Sequence, residues 1–237
     1  MNIAIIIPTY NEESNLPLLI THIFYHIPQT WIVIVDDSST NKTKQVVKNI
    51  KKKYKNITLL SRAKKQGRGS AVLHGFSWAI KNTKASFFVE MDADFSHNPR
   101  EISLLVNETS EYIVAVSSRY IKRSHIINWP LYRRILSALS NYVIRIFFQF
   151  TLHDVSNGFR SYSRKAVMQL LKYDFISSGF INLTECAYLL KHSGFTFKEI
   201  PGTFVNRAQG KSNATLHEFI SSLIALDKIK RKIDNAT

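Results

Sequence analysis

Cysteine is almost missing from this chain of 237 residues, where Cys186 stands alone. A lone thiol excludes an intrachain disulfide and any metal site built on several thiolates, and it suits a reducing compartment. Long apolar runs are missing as well. No window reaches the roughly 20 apolar residues of a spanning helix, and "YVIRIFFQFTL" is broken by Arg145 and Gln149. The opening "MNIAIIIPTYNEE" has no basic region ahead of its apolar run and carboxylates directly behind it, so it reads as a buried strand, not a signal peptide. Acidic residues are scarce: 17 Asp and Glu face 32 Lys and Arg, a net charge of +15. That excess calls for an anionic partner, whether nucleic acid, phosphorylated ligand or acidic lipid.

Several catalytic signatures are also lacking. Gly67, Gly69 and Gly75 of "QGRGSAVLHG" do not fit the dinucleotide fingerprint, and no Walker A pattern, G-x-S-x-G or H-E-x-x-H occurs. The glycines read instead as a tight turn into a helix packed closely on a sheet. The eight histidines are scattered without ligand spacing. A basic nucleic-acid-binding module stays open on charge alone. However, Lys51 to Lys53 follow a helical period, and no helix-turn-helix, zinc finger or RNP motif is present, so no nucleic-acid partner is expected.

What is present is alternation. "IAIIIP", "WIVIVDD", "ITLL", "SFFVEMD" and "YIVAVSS" are short β-branched and aromatic runs, each strand-like. Helical patterns lie between them at 14–25, 40–53 and 69–81, and another follows Asn98-Pro99, an N-cap with proline in the first helical position. This order predicts a single α/β domain with a mostly parallel central sheet and helices on both faces. Ligands of such sheets sit at the carboxyl ends of the strands, which gathers Pro8 to Glu12, Asp36-Asp37, Asp92 to Asp94 and Ser117 to Tyr120 around one crevice. Beyond it, Trp129 to Phe150 is amphipathic yet carries Arg133, Arg134 and Arg145. It reads either as a core helix or as an interfacial helix on a bilayer.

The stretch "FFVEMDADFSHNP" poses the sharpest chemical question, because Asp92 and Asp94 are like charges one residue apart at a strand end. A cation between them resolves the repulsion. Mg2+ or Mn2+ takes oxygen ligands and bridges substrate phosphates, so two protein carboxylates suffice. The structural counter-reading is a loop cap at Asp92 and an Asx turn at Asp94. Asp36-Asp37, with Tyr10 and Glu12 of "PTYNE", offers acceptors and an aromatic face for a nucleoside.

These segments, with "SSRY", "DVSNGFRSYSRKAV" and "GFTFKEIPGTFVNRAQGKS", resemble in order the dolichyl/polyprenyl-phosphate mannosyltransferases, GT-A fold members of glycosyltransferase family 2. The likeness runs from Met1 to about Asn213. It implies inverting transfer of a sugar from a nucleotide diphosphate sugar, with GDP-mannose the leading donor, to a polyprenyl or dolichyl phosphate. The enzyme would be peripheral on the cytoplasmic face of a membrane, with or without a membrane-anchoring subunit. Residues 1–120 would be the nucleotide-sugar half and 121–237 the acceptor and membrane-interface half. Carried over by position, Pro8, Tyr10, Glu12, Val35 and Asp37 are expected at the nucleoside, and Asp92, Ala93, Asp94 and Ser96 at the metal and diphosphate. Asp92 and Asp94 would be the metal ligands, with Asp94 the more direct. Arg119 and Arg207 would lie around the phosphates and Arg133 near the acceptor phosphate, so that Asp94, Arg119 and Arg133 carry catalysis.

The chain departs from the family pattern in three places. "GKSN" has Asn213 where relatives often have lysine, which leaves Lys211 as the nearby cation. "GFINLTE" keeps Gly179 and Glu185 but has Leu183 in place of glutamine. The carboxyl-terminal membrane helices of some relatives have no counterpart here, so lipid contact falls to the amphipathic stretch. Two enzyme alternatives remain at this stage: a UDP-sugar donor, or transfer to a saccharide hydroxyl with Asp154 as base.

Overall fold

A computed structural model describes residues 2–206 and 216–235. Each apolar run of the first half is a strand: β1 (Ile3–Thr9), β2 (Trp31–Asp36), β3 (Ile57–Ser61), β4 (Phe87–Glu90) and β5 (Ile113–Ser118). Between them lie α1 (Leu16–His26), α2 (Thr43–Lys53), α3 (Arg68–Asn82) and, after a 3-10 turn at Pro99–Glu101, α4 (Ile102–Asn107). Asn98 caps that turn by accepting the Arg100 N–H at 3.1 Å, as its place before Pro99 predicts. The second half supplies β6 (His125–Ile127), α5 (Leu131–Phe147), β7 (Arg160–Ser163), α6 (Arg164–Leu170), α7 (Asn182–His192), β8 (Thr196–Pro201), β9 (Thr203–Val205) and α8 (Leu216–Asp234).

Seven strands form one sheet in the order β3-β2-β1-β4-β7-β5-β8, and β6 pairs with β9 beside it. All neighbours in the large sheet run parallel except β7, which is antiparallel to both β4 and β5. The unbroken apolar strands follow from burial on both faces. Along β1, Ala4 and Ile6 join one core with Ala71 and Phe76 of α3, while Ile3, Ile5 and Ile7 join a second with Leu16, Leu19 and Ile23 of α1. Gly75 lets α3 sit on the sheet, since a Cβ there would lie 2.6 Å from Ile6 Cγ2.

Two features of this topology place the site. β1 has β2 on one side and β4 on the other, so the chain reverses direction across the sheet between β1 and β4, and a crevice opens at their carboxyl ends. β7 then enters against the grain and carries Asn157 to Arg160 to those same ends, with Glu90 opposite Arg160 in register. The chain does not separate into two folding units near residue 120, because β7 and β8 complete the sheet of the first half. β7 has no strand signature in the sequence. Its four residues, Arg-Ser-Tyr-Ser, are polar yet all buried, which hydrogen bonds make possible and hydropathy conceals.

Candidate active site

The ends of β1, β2 and β4 share an unusual backbone. Asn11, Ser38 and Phe95 have φ of 60°, 67° and 61°, left-handed values that non-glycine residues adopt at a cost. Cross-links hold these turns together. Asn11 N–H donates to Ser39 Oγ at 2.9 Å, and Asn11 Oδ1 accepts the Thr40 N–H at 2.9 Å. These two bonds join the turns after β1 and β2 at the rim of the crevice.

The positions expected at the nucleoside differ in what they present. Tyr10 is exposed, with Lys65 Nζ 3.8 Å from its ring centroid, and Glu12 accepts from the Asn15 amide at 2.8 Å. Pro8 is half-buried, whereas Val35 is wholly buried and its side chain packs in the core toward Gly75. Val35 therefore has only its backbone to offer. Asp37 accepts from Gln66 N–H at 3.0 Å and Gly67 N–H at 2.8 Å and pairs with Arg62 at 3.0 Å, so it clamps the turn into α3. Gly67 has φ of 96°, and a Cβ there would lie 2.6 Å from the Ser178 carbonyl oxygen, so that turn requires glycine. Asp36 is fully buried, with Lys44 at 3.6 Å and Oδ1 without a hydrogen-bond partner.

The D-x-D loop is held from several directions. Asp94 Oδ1 accepts the Ser96 N–H at 3.1 Å and the Ser96 hydroxyl at 2.6 Å, an Asx turn with both residues buried. Ala93 is buried in the core. Asp92 Oδ1 accepts from Arg68 Nε at 2.8 Å, and the same guanidinium reaches Glu90. The Asp92 N–H donates to His97 Nδ1 at 3.0 Å, so the imidazole proton sits on Nε2 and is donated to Asn157 Oδ1 at 3.0 Å. Burial lowers the His97 pKa and outweighs the nearby Asp92 and Asp94 carboxylates, which keeps the ring neutral and fixes this tautomer.

Arg119 is not a surface ion pair. Its side chain is 7% exposed and grips the fully buried Asp154, Nε to Oδ2 and Nη2 to Oδ1, both at 2.7 Å. Its own N–H also donates to Asp154, at 2.9 Å, and Nη2 donates to Ser156. Burial opposes the charge on Arg119, yet Asp154 overrides it and drives its pKa upward. Asp154 is thereby committed at both oxygens, which removes it as a base for a hydroxyl acceptor.

Arg133 lies on α5 with its guanidinium carbon 4.6 Å from the Trp129 ring centroid, and Nη1 donates to Asn206 at 3.0 Å. Arg207, Lys211 and Asn213 lie outside the described residues. Leu183 and Glu185 are buried, Glu185 accepting the Ile176 and Ser177 N–H groups at 2.9 and 3.0 Å. As for α5 itself, the core-helix alternative fails. Only Asn141 and Ile144 of its 17 residues are buried, while Leu131, Tyr132, Ile135, Leu136, Leu139, Tyr142, Ile146 and Phe147 are exposed.

Sequence reasoning missed Arg68, Glu90, His97 and Asn157, which position the D-x-D loop. The available signals were an arginine between two glycines at a helix start and an Asn-Gly pair ahead of "FRSYS".

As for the metal, no group of three His, Cys, Asp or Glu side chains converges on a cation site among the described residues. The donor set at the loop is oxygen only, two carboxylates and a serine hydroxyl, which fits a hard divalent ion completed by phosphate and water.

The doubly wound sheet, with a two-aspartate loop at its switch point, is the GT-A fold of solved glycosyltransferases. The chain belongs to glycosyltransferase family 2, whose sequence profile matches residues 4–171. It is 33% identical over 210 residues to polyprenol monophosphomannose synthase of Mycolicibacterium smegmatis, covering 88% of this chain and 79% of that protein. It is 30% identical over 213 residues to undecaprenyl-phosphate mannosyltransferase of Micrococcus luteus, covering 90% and 87%. Glucosyl-3-phosphoglycerate synthase from Mycobacterium tuberculosis, solved with Mn2+, UDP and glucosyl-3-phosphoglycerate, has the same fold. The TM-score is 0.65 at 17% identity, over 95% of this chain and 79% of that one.

Proposed function

We propose that this glycosyltransferase moves a hexose, with mannose from GDP-mannose as the leading donor, to a polyprenyl or dolichyl phosphate at a membrane surface. Transfer inverts the anomeric centre and depends on Mg2+ or Mn2+. The two mannosyltransferases of similar sequence are named for polyprenyl phosphate acceptors. The observation that carries the reading is α5. The exposed apolar face of α5 carries Arg133 at its first turn, and the Trp129 ring centroid lies 4.6 Å from the Arg133 and 5.4 Å from the Arg119 guanidinium carbon, which supports delivery of a lipid-borne phosphate beside Arg119. None of the described helices is long and apolar enough to span a membrane. In this reading contact is peripheral, through α5, on the cytoplasmic face and with or without an anchoring subunit.

The chemistry asks little of a base. A phosphate monoester with a second pKa near about 6 is largely dianionic at neutral pH and attacks the anomeric carbon unaided. The bond from that carbon to the diphosphate oxygen breaks as the new carbon–oxygen bond forms on the opposite face. Asp94 and Asp92 would hold the divalent ion, which would supply charge stabilisation to the departing nucleoside diphosphate. Tyr10, Glu12, Asp37 and the backbone beside Pro8 and Val35 bind the nucleoside, while Ala93 and Ser96 shape the diphosphate turn. Arg133, Arg119 and Arg207 bring two anions into line against their repulsion. Because Arg119 holds both oxygens of Asp154, the described crevice suits a phosphate acceptor better than a saccharide hydroxyl that would need that base.

Thermal stabilisation by GDP and by UDP, each with and without Mn2+, tests the donor, and a labelled product tests the acceptor. A metal-dependent shift with GDP and an acid-labile sugar phosphodiester are expected. A shift with UDP alone moves the donor to a UDP-sugar, and a product that is an ordinary glycoside overturns the acceptor.

A further inference from the structure

The repulsion between Asp92 and Asp94 already has an internal answer. Arg68, the first residue of α3, is 11% exposed and lies between Glu90 and Asp92. Its Nε and Nη2 are each 2.8 Å from Asp92 Oδ1, and Nη1 pairs with Glu90 Oε1. Tyr162 donates to the other Glu90 oxygen at 3.1 Å. Gly158, carried in by β7, leaves the space for this guanidinium, because a Cβ there would come within 2.1 Å of Nη2. Nη2 is buried with no well-directed hydrogen bond, so this nitrogen acts through charge more than direction. Burial works against the charge, but the Asp92 and Glu90 carboxylates outweigh it and hold Arg68 protonated. A cation is therefore built permanently into the loop where a divalent ion is expected.

We propose that Arg68 is a positioning residue that makes cation binding conditional on the nucleotide, an inference that rests on the metal-dependent reading above. Arg68 neutralises Asp92 and fixes one of its oxygens. The loop alone then attracts a divalent ion weakly, and the diphosphate of the donor must supply the missing negative charge. The cation enters with its substrate, and the resting site resists loading by stray ions. A single neighbouring charge shifts a carboxylate's affinity for a proton by about 10- to 1000-fold. The same sign applies to a metal ion, so removing Arg68 should tighten Mn2+ binding to the nucleotide-free protein by at least about tenfold.

Electron paramagnetic resonance of free Mn2+ measures this directly, with and without GDP or UDP, on the full chain. The wild type should bind Mn2+ weakly alone and at least about tenfold more tightly with nucleotide. Arg68→Gln should bind Mn2+ alone about tenfold more tightly than wild type, with the gain from nucleotide correspondingly smaller. Because Arg68→Gln leaves two carboxylates facing each other, the double variant Arg68→Gln/Glu90→Gln restores the local charge of the wild type and should tighten Mn2+ binding less than Arg68→Gln alone. Arg68→Lys, which keeps the charge, should stay close to wild type. Nucleotide-linked Mn2+ binding in wild type with unchanged Mn2+ affinity in Arg68→Gln overturns the role of Arg68 alone. No nucleotide-linked Mn2+ binding in wild type overturns the metal reading and this proposal with it.

Discussion

Asp154→Asn separates a structural carboxylate from a chemical one. In the wild type both Asp154 oxygens face Arg119 at 2.7 Å and its side chain is fully buried. Removing one partner of such a pair leaves a buried guanidinium uncompensated, which costs about 3 to 5 kcal/mol. Asparagine keeps one carbonyl acceptor for the Arg119 N–H, so the lower end, about 3 kcal/mol, is expected. For a domain of this size each kcal/mol lowers Tm by about 2 to 4 °C, giving a fall of about 6 to 12 °C. Thermal unfolding followed by circular dichroism reads it. Ser156→Ala, which removes the hydroxyl that accepts from the same guanidinium at 2.7 Å and from the Asn141 amide at 2.9 Å, serves as the control at about 1 kcal/mol. A Tm change under about 3 °C in Asp154→Asn, together with lost turnover, would refute the argument and return Asp154 to the role of base.

Other outcomes follow from the same geometry. Asp94→Asn keeps an oxygen for Ser96 and should preserve Tm while turnover falls by at least about a hundredfold; normal metal-dependent turnover in this variant removes the metal assignment. Arg133→Ala should raise the KM for polyprenyl phosphate more than that for the sugar nucleotide, and equal effects on both would undo its placement near the acceptor. Cosedimentation with anionic vesicles should be strong at low salt and weaken when Leu136, Leu139 and Tyr142 are replaced by serine; binding that ignores these changes excludes α5 as the contact. Burial pushes the Glu101 carboxyl above its ordinary value, although Thr203 and Ser117 donate to it. A folded pKa above the unfolded one gives stability that is present below about pH 4.3 and lost as pH rises through the folded value. Denaturant titrations should therefore show wild type losing ground to Glu101→Gln between about pH 4 and pH 7, and a constant difference would contradict the shift.

The sequence made the first five strands legible because β1, β2, β4 and β5 are buried on both faces and the half-buried edge strand β3 still packs apolar side chains on the core, so hydropathy alone marks them. It failed at β7, where Arg160 is buried among the carbonyls of Val155, Asn157 and Leu183 and no apolar pattern exists to read. The rule that ligands gather at strand ends placed Tyr10, Asp37 and the D-x-D loop around one crevice without coordinates. What it left open was how each side chain is employed there. Asp37 turned out to clamp the entry to α3, and Val35 to face the core. Residue type gives a side chain's chemistry, while its partners come from distant segments.

Charge excess, alternating strand and helix signals and a pair of aspartates at a strand end are local properties, and local physics was enough to fix the fold class and to gather these residues at one end of the sheet. Contacts across 24 and 35 residues decided the rest, namely that Arg68 balances Asp92 and that Asp154 holds Arg119. The same holds for α5, whose composition served a core helix and an interfacial helix equally well. Only the packing of its neighbours left the apolar face exposed. Side-chain pairing and exposure depend on which elements meet in space, and in this fold that is set by a strand, β7, that the sequence does not announce.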